Sequence, residues 1–240
     1  GNQRDDVAQR LFAGDQSGMV MSDQYTTSKP LTLGKVELAL TGLEQLPLPH
    51  RSRNNLLLLH VLQQIEQPLE QLLSRFGRQR IGIVLGTSTS GIAEGEAAIA
   101  YHKQHGELPS SYHYQQQEIA SPSQFLQQHL GLSGPALTIS TACSSSAKAF
   151  ASAHRLINIG LCDAVIVGGV DTLCGLTVNG FSALEAVSAE HCNPFSRNRN
   201  GINIGEGAAL FLLTKDEAEI ALSVIGESSD AYHISAPHPE

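Results

Sequence analysis

Four short apolar runs interrupt the otherwise mixed pattern of the chain. They consist mostly of Val, Ile, Leu and Ala and alternate little with polar residues: Ile81–Leu85, Ala136–Ser140, Ala164–Val167 and Ala208–Leu213. Short unbroken apolar runs are typical of strands that are covered on both faces. The pattern therefore predicts four buried strands, and the weaker run Ile220–Ile225 predicts a fifth.

Helical periodicity fills the spaces between these runs. The longest such stretch, Asn54–Arg75, has Leu or Ile at alternating intervals of four and three residues, and Pro68 predicts a kink within it. Four shorter stretches are also predicted to be helical: Asp5–Ala13, Ile92–Gln104, Ser123–Leu130 and Ser144–Ile159. Alternating strands and helices predict an α/β protein built of parallel βαβ units.

Composition narrows the class of protein further. The chain has 240 residues, 41% of them hydrophobic and 16% charged, which is typical of an ordered domain. A net charge of -8 argues against general affinity for nucleic acid or an anionic membrane. No apolar run is long enough to span a bilayer. The four cysteines form no CxxC pair, so we predict no structural metal site and expect reduced thiols in a cytoplasmic protein.

Cys143 lies where an apolar run ends and a predicted helix begins. Free backbone N–H groups and the helix dipole stabilise negative charge there, as on a thiolate. A free cysteine is also often a small buried hydrophobe, and position alone leaves both interpretations open. His154 lies 11 residues further along the same predicted helix. The two side chains would be roughly 16 Å apart, too far for proton transfer.

The glycine-containing segments give weaker evidence of a catalytic or binding site. The loop Gly86–Gly91 has Ser90 where a nucleophile elbow needs glycine, so a pocket-lining loop and an ordinary helix cap both stay open. The glycines of Gly201–Gly207 precede a strand, which favours turns over a dinucleotide site. Gly168–Gly169 indicates a close backbone approach or a sharp turn.

Several ordered segments together resemble the β-ketoacyl-acyl-carrier-protein synthases, the condensing enzymes of fatty acid and polyketide synthesis. Thr141–Ser145 resembles their active-site signature, and the likeness is close from Arg80 to Glu240. The other matching segments are Asp163–Asp171, Asn179–Leu184, Asn193–Gly201, Gly205–Ala208 and Ser228–His233.

The resemblance implies that residues 1–240 form the N-terminal domain of a thiolase-like fold, a βαβαβαββ half of a five-layer αβαβα sandwich. It implies that Cys143 is the nucleophile that takes an acyl group from acyl carrier protein, and that its N–H is one oxyanion donor. Thr89 would be the gate at the base of the acyl pocket, and Phe181 would line that pocket. The strand before Cys143 would pair across a homodimer, or across a heterodimer with a related subunit. No cofactor and no metal are implied.

The chain also departs from the family pattern. The two histidine segments, the nearby lysine and the GFGG-like loop do not occur in residues 1–240. His233 is not one of the catalytic pair, and Gly1 would be the last residue of the usual first strand. The fragment is therefore predicted to hold the nucleophile alone and to be inactive in condensation.

Two alternatives stay open beside a malonyl-dependent condensing enzyme. One is a non-catalytic partner subunit like the chain-length factors, which usually lack the cysteine. The other is a different acyltransferase of the thiolase fold, against which Asn193–Ala208 argues. A small gate at Thr89 indicates a roomy or polar-tolerant pocket, suited to a polyene or polyketide chain.

Overall fold

A four-stranded mixed sheet with helices on both faces forms the centre of the computed structural model, which describes residues 3–26, 29–37, 41–233 and 238–239. The helices are α1 (Arg4–Phe12), α2 (Arg53–Gln63), α3 (Glu66–Phe76), α4 (Ile92–His105), α5 (Ser121–Leu130), α6 (Ser145–Asn158) and α7 (Gly175–Ala183). The strands are β1 (Met19–Ser22), β2 (Leu31–Gly34), β3 (Ile81–Gly86), β4 (Ala136–Ile139), β5 (Ala164–Asp171) and β6 (Gly207–Thr214).

The strand order in the central sheet is β4-β3-β5-β6. β3 runs parallel to β4 and β5, as predicted, but β6 is antiparallel to β5, so the expectation of parallel units is wrong for the last strand. α7 and the loop after it stay near the carboxyl end of β5, and Gly207 at the start of β6 pairs with Asp171 at that end. β6 therefore starts beside the carboxyl end of β5 and has to run antiparallel to it.

Alternate residues of the inner strands pack against different helices. Ile81, Ile83 and Leu85 of β3 point to the core formed with α2, α3 and α5. Val84 of β3 and Val165 of β5 point to a second core beneath α6. Because both faces are covered, β3 and most of β5 are buried, which confirms the prediction for these two strands.

The outer strands are less covered than their apolar sequences predict. β4 has no fully buried residue, and Leu137 is 42% exposed. Phe211 of β6 is 51% exposed. The prediction of burial on both faces is wrong for β4 and β6, because each has a neighbour on only one side and helices cover it only in part.

The long predicted helix is two helices. α2 ends at Gln63 and α3 begins at Glu66, so the break precedes Pro68 instead of a kink occurring there. Pro68 lies in the first turn of α3, where backbone N–H groups have no partner within the helix. A proline costs little at that position, whereas it would remove a hydrogen bond from the middle of a continuous helix.

Three further expectations have different outcomes. The fifth strand, Ile220–Ile225, is wrong, because this segment forms no strand and leaves Ile220 85% exposed and Val224 86% exposed. Gly168 and Gly169 lie within β5 and not in a turn after it, and the alternative of a close approach is confirmed, because a Cβ atom on Gly168 would lie 2.0 Å from the carbonyl oxygen of Ala209. Gly1, the proposed remnant of a first strand, lies outside the described residues.

The N-terminal region adds a small antiparallel hairpin of β1 and β2. Leu31 and Leu33 of β2 pack with Leu173 and Val178, next to and within α7. Among the described residues, none of the helices combines the length and the apolar character that crossing a bilayer requires.

Candidate active site

Cys143 lies in a tight turn between β4 and α6. Its side chain is exposed, and the preceding residue, Ala142, has a φ of 54°. This left-handed conformation costs roughly 1–2 kcal/mol in a residue other than glycine. The turn reverses the chain at once, so the thiol stands beside the first turn of α6 and remains open to solvent.

Ser145 holds this turn in place. Its buried hydroxyl donates to the carbonyl oxygen of Ala142 at 2.6 Å and accepts from the N–H of Thr141 at 2.9 Å. The hydroxyl of Ser144 adds a bond to the carbonyl oxygen of Thr141 at 3.0 Å. These local bonds offset part of the strain at Ala142 and fix the backbone on both sides of the cysteine.

Two glycines let α6 approach the sheet at this point. A Cβ atom on Gly86 would lie 2.5 Å from the N atom of Ser146, and one on Gly169 would lie 2.1 Å from the Oγ atom of Ser146. Gly86 and Gly169 are paired in adjacent strands. The absence of both side chains therefore creates the space that brings the start of α6, and Cys143 with it, to the carboxyl ends of β3 and β5.

The start of α6 is suited to negative charge. No side-chain hydrogen bond caps the helix, and its first turn contains no acidic residue. The first N–H groups of a helix have no partner within it, and the helix dipole places partial positive charge there. An oxyanion that forms next to Cys143 would meet these groups.

The loop after β3 lies beside the cysteine turn and is organised by one carboxylate. Oδ1 of Asp171, the last residue of β5, accepts from four donors in Thr87, Ser88 and Thr89. The hydroxyl of Ser88 donates in turn to the carbonyl oxygen of Ala142 at 3.4 Å. A chain of hydrogen bonds thus links β5, this loop and the backbone next to Cys143.

The two residues proposed to line a pocket lie in different surroundings. Thr89 is 4% exposed, and its hydroxyl donates to Asp171 at 2.9 Å and accepts from the N–H of Thr172 at 3.0 Å. Phe181 is half-buried on α7. The structure links Thr89 to the cysteine turn through Ser88 and Asp171. Both assignments stay predictions.

His154 lies on α6, as predicted, and does not form the core. It is half-buried, and its ring pairs with the amide of Asn158 one turn further along the helix, at 3.1 Å. The separation along the helix from Cys143, roughly 16 Å, leaves it unsuited to proton transfer with the thiol.

An ion pair between the partly exposed Arg53 and the buried Glu206 joins segments that are distant in sequence. The side chain of Glu206 is 1% exposed and accepts two hydrogen bonds from Arg53, at 2.6 and 3.0 Å. It also accepts from the N–H groups of Val36 at 3.1 Å and Leu173 at 3.4 Å. Burial opposes its charge, but these bonds outweigh burial and hold the pKa of Glu206 below its ordinary value. Glu206 therefore joins the regions of β2, α2 and α7.

Sequence reasoning found the cysteine and missed its supports. The roles of Ser145 and Asp171 depend on where the chain folds back, which no local pattern specifies. One signal was available for Asp171, because a carboxylate that directly follows a buried apolar strand stands at the carboxyl end of a parallel sheet, where sites form.

Comparison with known proteins adds a family and two groups of relatives. The family profile described as the N-terminal domain of beta-ketoacyl synthase matches residues 59–218. Nodulation protein E of Rhizobium meliloti is 37% identical over 117 residues, which are 45% of this chain and 29% of that protein. The 3-oxoacyl-[acyl-carrier-protein] synthase 2 of Staphylococcus aureus is 34% identical over 125 residues, 46% of this chain and 31% of that protein. The match covers less than a third of either relative.

Solved structures agree with the fold. In the complex of a ketosynthase with its chain length factor from Xenorhabdus doucetiae, one chain is 46% identical with a TM-score of 0.91, over 100% of this chain and 61% of that one. The ishigamide ketosynthase/chain length factor has a TM-score of 0.75 at 20% identity, over 88% of this chain and 54% of that one. The described sheet and helices have the thiolase-like α/β fold.

Proposed function

The chain belongs to the β-ketoacyl synthase family, and on that premise we propose that it is the cysteine-bearing part of a 3-oxoacyl-acyl-carrier-protein synthase. The complete protein condenses an acyl thioester with a malonyl thioester, both on acyl carrier protein. The observation that carries the proposal is the exposed Cys143 in a strained turn at the start of α6, within the part of the chain that matches the family.

The first step of the proposed reaction uses residues of this chain. The thiolate of Cys143 attacks the carbonyl carbon of the acyl-carrier thioester, and the carbonyl oxygen becomes an oxyanion beside the backbone N–H of Cys143. The intermediate collapses, the bond to the carrier sulfur breaks, and that sulfur leaves as a thiolate that takes up a proton. The acyl group is then held on Cys143.

The second step needs groups from outside this chain. Malonyl-carrier loses carbon dioxide, and the resulting carbanion attacks the acyl group on Cys143, which releases the 3-oxoacyl-carrier product. The family uses two histidines and a lysine for this step, and their segments do not occur in residues 1–240. We therefore assign them to the other part of the complete protein.

We propose a related subunit as the partner of the complete protein. A solved relative at 46% identity comes from a complex of a ketosynthase with its chain length factor. Cys143 favours the ketosynthase role for this chain, because the partner subunits usually lack that residue. Thr89 at the proposed gate fits a polyene or polyketide chain, since its small side chain leaves room in the pocket.

Replacing Cys143 by alanine tests the proposal directly in the complete protein. We expect no acyl-enzyme adduct by mass spectrometry and a loss of condensation of at least about 10³-fold, because the nucleophile is gone. Cys192→Ala is the matched control, since this half-buried cysteine lies in the loop before β6, where its N–H donates to the side chain of Asn203. Its adduct and its rate of condensation should match those of the parent.

Two results would contradict the proposal. Unchanged product formation by Cys143→Ala would assign the chain to a non-catalytic partner subunit. Condensation without release of one carbon dioxide per product from malonyl-carrier would indicate a different acyltransferase of the same fold.

A further inference from the structure

Asp171 makes an unusual number of hydrogen bonds through one oxygen atom. Its Oδ1 accepts from the hydroxyl of Thr87 at 3.0 Å, the N–H of Ser88 at 2.7 Å, and both the N–H and the hydroxyl of Thr89 at 2.9 Å. Thr87 is 0% exposed and Thr89 is 4% exposed. Hydrogen bonds to a charged acceptor are about twice as strong as neutral ones, so this carboxylate dominates the conformation of the loop.

Further hydrogen bonds connect the residues held by Asp171 to the end of the loop. Ser90 has a φ of 45°, an uncommon conformation outside glycine. The hydroxyl of Thr87 accepts from the N–H of Ser90 at 3.0 Å, and the hydroxyl of Ser90 donates to the carbonyl of Glu118 at 2.8 Å. Asp171 therefore sets the position of Thr87, which in turn supports the strained residue.

The same loop reaches the nucleophile. Ser88, whose N–H makes the shortest of the four bonds to Asp171, donates its hydroxyl to the carbonyl oxygen next to Cys143. The hydroxyl of Thr89 donates to Asp171 and accepts from the N–H of Thr172. The methyl group of Thr89 is then the apolar part of this side chain for an acyl chain to contact.

We propose that Asp171 is a positioning residue that fixes the loop Thr87–Ser90 and thereby sets how an acyl chain lies beside Cys143. The inference rests on the proposed function for the identity of the acyl chain. Asp171 does not touch the reacting atoms and acts through Ser88 and Thr89. Loss of its carboxylate leaves buried donors without an acceptor, so the loop has to rearrange.

The test compares two alkylating reagents on Cys143 in the complete protein. Iodoacetamide reports on the thiol alone, whereas N-decyl iodoacetamide also needs room for a chain beside the loop. In both cases the sulfur forms a bond to carbon and iodide leaves. The rate constant with N-decyl iodoacetamide is divided by the rate constant with iodoacetamide, and the result is divided by the same quotient for glutathione. This corrected ratio measures the fit of the chain without requiring condensation. Peptide mapping by mass spectrometry identifies Cys143 as the modified residue.

We expect Asp171→Ala to lower this ratio about tenfold while the rate with iodoacetamide changes less than about twofold. Asp171→Asn keeps an acceptor oxygen and should retain the ratio within about threefold. Asp163→Ala is the matched control, because this aspartate lies just before the opposite end of β5 and pairs with Arg80. It should leave the ratio unchanged.

The inference would be overturned by an unchanged corrected ratio in Asp171→Ala, or by a corrected ratio of one or less in the wild-type protein. If Asp171→Ala does not accumulate as folded protein, Thr87→Val removes one donor to the same oxygen, and an unchanged ratio there has the same meaning. Failure of the proposed function gives a different result: normal alkylation ratios in a wild-type protein that does not condense the two thioesters.

Discussion

Two acidic side chains, Asp171 and Glu206, tie together segments that are distant in sequence. Asp171 holds the loop at Thr87–Thr89, more than 80 positions earlier. Glu206 holds Arg53 and the N–H of Val36, which are 153 and 170 positions away. No local pattern marks Glu206, and only its place after an apolar strand marks Asp171, because a hydrogen bond over such a distance exists only after folding. Cys143 could be singled out because a local pattern, the end of an apolar run and the start of a helix, marks it.

Glu206→Gln should destabilise the protein in a pH-dependent way. At pH 7 we expect a loss of about 1–3 kcal/mol in the free energy of unfolding, because Arg53 loses a charged partner. The pKa of Glu206 is lowered in the folded state, so its stabilisation is fully present above the unfolded pKa, about 4.3, and is lost as the pH falls through the folded value. Urea denaturation between pH 7 and pH 3 measures this.

The gap between parent and Glu206→Gln should therefore close at the acidic end of that series. Glu44→Gln serves as the control, because that side chain is 89% exposed and should leave stability within about 0.5 kcal/mol of the parent. A gap between parent and Glu206→Gln that stays constant with pH would show that the charge of Glu206 does not contribute.

Secondary-structure elements were predictable where burial dictates the pattern. β3 and β5 were placed within a few residues, because strands covered on both faces need unbroken apolar runs. The direction of β6 was not predictable from its own residues, since an apolar run does not encode the path of the chain before it. The division into α2 and α3 was missed because Pro68 fits the start of one helix as well as it kinks a longer one.

The junction of β3 and α6 makes a prediction at the level of these elements. Gly86→Ala should cost about 1–3 kcal/mol of stability, because the added Cβ meets the backbone of Ser146 at 2.5 Å and backbone cannot move aside cheaply. Gly207→Ala is the control, a strand glycine with nothing within 4 Å of the added atom. Denaturation of both variants and of the parent gives the difference.

The Gly86→Ala variant should also alkylate at Cys143 more slowly with the decyl reagent, since α6 has to shift away from the sheet. Equal stability of Gly86→Ala and Gly207→Ala would mean that the close contact between the helix and the sheet is not required.

At the scale of the whole molecule, the resemblance to the β-ketoacyl synthase family predicted more of the fold than the local hydrophobic patterns did. The thiolase-like layers follow from an ordered set of segments, and the structure has the expected sheet with helices on both faces. The exposure of β4 and of Ile220–Ile225 was not predictable from apolar sequence alone, because apolar residues indicate that a surface is covered without indicating by which part of the chain.

Residues 1–240 alone should not condense acyl-carrier and malonyl-carrier thioesters. Residues 1–240 contain Cys143, the proposed nucleophile, and its proposed oxyanion donor, but not the histidine segments that the proposed second step requires. Product formation by the fragment, assayed beside the complete protein under the same conditions, measures this. Turnover by the fragment at the rate of the complete protein would mean that decarboxylation uses residues within this chain.

The hydrogen bonds of the Thr89 hydroxyl constrain which substitutions the protein can accept during evolution. Because that one group serves both Asp171 and the N–H of Thr172, a larger apolar residue at this position would take the acceptor from the N–H of Thr172 and remove one of the four donors to Asp171. Substitutions at positions 89 and 171 are therefore epistatic, and a lineage that alters the size of the side chain at position 89 should alter position 171 with it.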